Sequence, residues 1–148
     1  MEINITKERS ESYVYFALKG DDFDPKEITN RLNIEPTQAW RKGEKGQYVE
    51  KQNFSNWQLS TEKGKEYIEI DKLVTEIIKR LIDKIEIIVE LKKELKLESV
   101  LEIVLYIDTN PDQSTPAIGH NLETINFLYM TQTITDIDIY KFDSNIDE

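Results

Sequence analysis

Apolar side chains recur along this chain in two rhythms, and the switches between them divide it into elements. Tyr13-Val14-Tyr15-Phe16-Ala17-Leu18-Lys19, aromatic and β-branched and closed by Gly20, predicts a strand. Asp24-Pro25-Lys26-Glu27 carries the marks of a helix start: Asp24 as cap, Pro25 at the first helical position, and Glu27 where a capping box puts its carboxylate. Ile28 and Leu32 then share a face, Asn33 suits a left-handed stop, and Glu35-Pro36 breaks the chain. Thr37 to Asn56 is polar and glycine-bearing, which reads as a strand end followed by a mobile loop around Gly43 and Gly46. Alternation returns in Asn56-Trp57-Gln58-Leu59-Ser60-Thr61, another strand.

The clearest helical signal is Ile70, Leu73, Val74, Ile77, Ile78, Leu81, Ile82 and Ile85, spaced by three and four, with Asp71 as the expected cap. The spacing leaves two readings beyond it: one helix running through Ile88, Leu91 and Leu95, or a bend near Asp83-Lys84. Val100 to Ile107 is nearly continuous in apolar residues, the pattern of a central strand buried on both faces. After a loop holding Pro111 and Pro116, Asn121 is placed to cap a short helix carrying Leu122, Ile125, Phe127, Leu128 and Met130. Ile134 to Tyr140 then alternates isoleucines with acids, so one face of that strand is wet. Strand, capped helix and strand thus occur once before the long helix and once after it. This echo predicts an α+β fold: a four- to five-stranded, mainly antiparallel sheet with helices on one face, a ferredoxin-like pseudo-repeat with a long middle helix.

Composition narrows the picture. A chain of 148 residues, 39% hydrophobic and 32% charged, forms one domain with an ordered core over about 12–142 and buries about two-thirds of its unfolded surface. There is no cysteine, which removes disulfides, thiolate nucleophiles and cysteine-bound metals and fits a reducing compartment. Met1 to Arg9 lacks the apolar run of a secretory signal, and no stretch approaches the roughly 20 apolar residues that span a bilayer, so a cytoplasmic protein is expected. The net charge of −10 disfavours nucleic acid, whose binding depends on Lys and Arg displacing counterions, and steers the molecule towards a basic partner.

One resemblance covers Tyr13 to about Tyr140. Tyr15-Phe16-Ala17-Leu18-Lys19-Gly20-Asp21-Asp22-Phe23-Asp24-Pro25, then Ile28-Thr29, Leu32, Ile34-Glu35-Pro36-Thr37, Trp40-Arg41-Lys42-Gly43, Trp57 and the closing Ile137-Asp138-Ile139-Tyr140 together resemble the bacterial family catalogued as domain of unknown function 4279. The resemblance implies a bacterial cytoplasmic protein of this α+β pattern and supplies no reaction.

Little of the inventory is catalytic. His120 is the sole histidine and reads as a loop or helix-start residue beside Gly119 and Asn121. Asp21, Asp22 and Asp24 lack the other spaced acids and the bidentate Glu of a calcium loop, and Asp24 is already a cap, so no metal is expected there. Asp136 and Asp138 lie about 7 Å apart on one strand face, a spacing compatible with the paired carboxylates of glycoside chemistry but commoner on a solvated face. Gly43-Glu44-Lys45-Gly46 matches no phosphate-binding spacing.

Trp40, Arg41, Lys42, Lys45, Tyr48 and Trp57 concentrate cations and aromatic surface in an acidic chain, the set best placed to hold an anion, a nucleotide or an acidic segment. The simpler reading makes Trp40 and Trp57 core residues on adjacent strands. The inventory points to a non-enzymatic protein-binding module without cofactor, of which an immunity protein neutralising a basic toxin is one form. The alternative is a small-molecule or nucleotide sensor built on the Trp40–Trp57 region; an enzyme using Asp136, Asp138 or His120 ranks third.

Overall fold

A computed structural model describes residues 11–63 and 69–146. The amino-terminal segment read for a secretory signal lies outside them. The elements are β1 (Tyr13–Gly20), α1 (Pro25–Leu32), β2 (Gln38–Trp40), β3 (Ser55–Ser60), α2 (Ile70–Leu81), α3 (Ile85–Leu95), β4 (Glu98–Asp108), α4 (Leu122–Thr131) and β5 (Ile134–Phe142). The strands form one sheet in the order β2-β3-β1-β4-β5. β1 pairs antiparallel with β3 and β4, β2 antiparallel with β3, and β5 parallel with β4. The first four strands therefore have the ferredoxin-like order, and the fifth is added outside β4 by the crossover through α4. The echo seen in the sequence is one of element order only. β3 separates the two strands of the first unit, whereas the two of the second are direct neighbours. β1, not the apolar β4, occupies the centre of the sheet.

Local chemistry sets the helix ends. Asp24 accepts from the backbone N–H of Lys26 at 3.0 Å, Pro25 opens α1, and Asn33 closes it at φ 54°. Asn121 accepts from the N–H of Thr124 at 2.8 Å and starts α4. The long helical stretch does bend where its polar pair lies: a single 3-10 turn, Ile82–Lys84, separates α2 from α3. Asp71 is not the cap of α2, which begins at Ile70 with Glu69 in the cap position and no side-chain capping bond. Burial of Ile70 draws that residue into the first turn. Asp71 then lies within that turn, where its charge still meets the positive end of the helix.

All the helices pack on one face. Val14, Phe16 and Leu18 of β1, Trp57 and Leu59 of β3, and Leu101, Ile103 and Leu105 of β4 meet Ile28, Leu32, Ile70, Ile77, Leu81, Ile88 and Phe127 in one cluster. Phe127 meets Phe16 edge-on at 5.9 Å, fastening α4 to the central strand. Arg31 reaches Glu90 at 3.3 Å and also pairs with Glu94, tying α1 to α3. Lys92 donates to Ser99 Oγ and to the Thr131 and Gln132 carbonyls at 2.7–2.8 Å, satisfying the end of α4. Burial lowers its ammonium pKa, an effect that Glu98 opposes.

Candidate functional site

Strand alternation determines which side chains lie opposite the helices. On that open face β1 presents Tyr13, Tyr15 and Lys19, β4 presents Glu98, Glu102, Val104 and Tyr106, and β5 presents Ile134, Asp136, Asp138 and Tyr140. The register sets Glu102 across from Tyr15 on one side and Asp136 on the other. One carboxylate oxygen each from Glu102, Asp136 and Asp138 lies within 4.8 Å of the others. The two aspartates are exposed, while Glu102 is only 5% exposed and its Oε1 has no hydrogen-bond partner among the described residues.

A carboxylate taken out of water between two like charges resists ionisation. Burial first, and then Asp138 and Asp136, push the Glu102 carboxyl up to about 8. Burial, with Glu102 as the next cause, pushes the Tyr15 phenol up to about 12. The phenol of Tyr13 is raised as well, by burial and then by Tyr106 and Tyr140. Tyr106 and Tyr140 stack at 5.0 Å, and Tyr13 and Tyr15 at 6.2 Å. An open groove of about 520 Å³ runs from Glu102 and Asp136 to Lys19 and Lys92. No ion pair links any of the three acids to a cation among the described residues.

The sequence-predicted set has a different disposition. Trp57 is wholly buried on the helix face, where its Nε1–H donates to Thr29 Oγ1 at 3.0 Å. Trp40 is opposite Asn56 on the other face, partly buried, edge-on to Phe54 at 5.5 Å. The two tryptophans occupy adjacent strands, but only Trp57 is core. Arg41 pairs with Asp22 at 3.1 Å and Lys42 with Asp21 at 3.0 Å, which clasps the turn after β1 to the end of β2. Tyr48 is 91% exposed and Lys45 is exposed in the same loop. That loop, expected to be mobile, is closed by backbone bonds from Gly43 to Gln52, Gln52 to Glu44 and Gly46 to Val49, with Gly43 at φ 92°.

His120 bonds Thr135 Oγ1 through Nε2 at 3.0 Å. Thr135 projects from the opposite face of β5 to Asp136, so the imidazole and the acids do not converge. Local spacing found Asp136 and Asp138 as a pair and missed Glu102, which joins them from a strand on the other side of a whole crossover. One signal was available: Glu102 is the single charge inside Val100-Leu101-Glu102-Ile103-Val104-Leu105, and a charge in a strand buried on both faces needs a reason.

An α+β domain with one helix-covered face and one open, acidic, tyrosine-bearing face is the class that fold and site define. A family model described as a domain of unknown function, DUF4279, matches residues 10–142, and the chain belongs to that family. No curated protein and no solved structure matches it. No described helix is long and apolar enough to cross a membrane.

Proposed function

We propose that this chain is a non-catalytic module that binds a cationic protein surface through the open face of its sheet. The observation that carries the reading is the group of Glu102, Asp136 and Asp138 beside Tyr13 and Tyr15, with no described cation paired to the acids. Such a face attracts Lys and Arg by field and receives them by hydrogen bonding and ring stacking. Four tyrosines supply rigid amphipathic area of the kind that anchors interfaces. A net charge of −10 speeds the encounter. Covering the basic surface of a toxin, as an immunity protein does, is one task this face suits.

The sensor reading around Trp40 and Trp57 draws less support, because the tryptophans face opposite sides of the sheet and Arg41 and Lys42 are engaged by Asp22 and Asp21.

The test is affinity capture from the native cell with the wild-type chain and with the double variant Asp136→Asn/Asp138→Asn. The expected result is a basic protein retained by the wild type, released as ionic strength rises from about 0.05 to 0.5 M, and lost from the variant. Equal retention by both chains, or capture of no basic protein, would sink the reading.

A further inference from the structure

We propose that Glu102, Asp136 and Asp138 form a binding site for a divalent cation of calcium's size. This goes beyond the partner-binding reading and is decided on the isolated chain. Asp136 and Asp138, two apart on β5, make an exposed acidic pair of the kind that many surfaces carry without consequence. The separate observation is Glu102, which comes from a different strand, is 5% exposed, and aims into that pair a carboxylate whose Oε1 meets no donor among the described residues. A buried carboxylate oxygen without a partner is costly, and a bound cation removes that cost.

Three of the described cations are directed elsewhere. Lys19 is opposite Glu98, four residues along β4 from Glu102 and so about 13 Å away by strand rise. Lys92 donates to Ser99, Thr131 and Gln132, and Lys63 lies over the Tyr13 ring at 5.6 Å.

The donor set identifies the ion. All three ligands are carboxylate oxygens, the only histidine bonds Thr135 on the other side of β5, and there is no cysteine, which selects a hard cation over zinc or copper. Ca²⁺ is the larger ion and takes about six to eight oxygens in flexible geometry, whereas Mg²⁺ demands a near-ideal octahedron, keeps several waters and is usually held by one or two carboxylates. Three carboxylates held on two strands, their oxygens within 4.8 Å of one another, therefore suit Ca²⁺ better than Mg²⁺. The groove beside Glu102 and Asp136 leaves room for the waters that complete its coordination. Three carboxylates outnumber the two charges of the ion, so the loaded site stays acidic.

Tyr15 is the direct neighbour of Glu102 across the β1–β4 pair, which makes Tb³⁺ a suitable probe, since tyrosine sensitises its emission. Chelator-stripped protein is titrated with Tb³⁺, which is then displaced by Ca²⁺ or Mg²⁺, and Ca²⁺ is titrated alone by calorimetry. The expected result is saturable Ca²⁺ binding at about 1 mM or tighter, with Ca²⁺ displacing Tb³⁺ at lower concentration than Mg²⁺. Asp136→Asn/Asp138→Asn, whose altered side chains are exposed, should keep the circular dichroism of the wild type and weaken binding at least about tenfold. Glu102→Gln should weaken it likewise, while Asp71→Asn on α2 should not. No saturable binding below about 10 mM, equal binding by the wild type and the folded double variant, or a preference for Mg²⁺ would overturn the assignment.

Discussion

Replacing Glu102 by Gln keeps the shape of the side chain and removes its charge, and the consequence for stability follows from the site. In metal-free protein the carboxyl holds its proton up to about 8, against an ordinary value of 4.5, with burial as the leading cause and Asp138 and Asp136 adding to it from β5. Tyr13 and Tyr15 face it from β1 and are themselves pushed upwards. An acid whose folded value is raised binds its proton more tightly in the native state. Its favourable contribution is therefore complete below pH 4.5, declines as pH rises, and is gone above about 8. Each pH step between those limits is worth about 1.36 kcal/mol, so the whole window spans about 4–5 kcal/mol. That is an upper bound, because water in the open groove beside Glu102 screens the charge. Against a total stability of about 5–15 kcal/mol the effect is large. Urea unfolding with a chelator present, from pH 5 to pH 9, should show wild type and Glu102→Gln nearly equal at the acid end. At the alkaline end the variant should be more stable by a few kcal/mol. Stability curves that run parallel across the range would refute the reasoning.

Three further substitutions probe the frame that holds the open face. Lys92→Met leaves the Thr131 and Gln132 carbonyls and Ser99 without their donor and should cost about 2–3 kcal/mol by urea unfolding, with faster amide exchange at the end of α4; a cost under about 0.5 kcal/mol would show that water replaces the ammonium freely. Ser55→Ala deprives the Phe23 and Lys42 N–H groups of a shared buried acceptor and should destabilise by about 2–3 kcal/mol, measured by thermal unfolding. Lys96→Gly should raise the unfolding midpoint, worth up to about 1 kcal/mol, because residue 96 sits at φ 54° where a Cβ is strained.

Periodicity made the elements legible because each is a local property. The spacing of Ile70 to Leu95 marks a helical stretch but leaves open whether it breaks near Asp83-Lys84; the break is there, in a turn whose apolar residue, Ile82, is only partly buried against the core. Asp24, Asn33 and Asn121 disclosed helix ends through short-range hydrogen bonding and left-handed backbone. Pairing is a different matter. The alternation of Ile134 to Tyr140 identifies a strand with a wet face, but nothing local says that it lies parallel to β4 at the rim of the sheet. The candidate site escaped for the same reason. Asp136 and Asp138 were visible as a pair, yet Glu102 joins them only through the β4–β5 register. Trp40 and Trp57 drew notice by residue type, while the side of the sheet that each occupies depends on its phase within its own strand.

The parallel attachment of β5 carries a cost during synthesis. The chain grows from its amino end, so β4 emerges before α4 and β5 exist to cover its flank. Until then the backbone of Val100 to Asp108 offers a bare rim of donors and acceptors next to Leu101, Ile103 and Leu105, the sort of edge onto which a second nascent chain can zip. Glu102 stands in the middle of that rim, and an ionised acid at that position repels an identical strand laid in register against it. The residue that strains the finished sheet thereby protects the unfinished one.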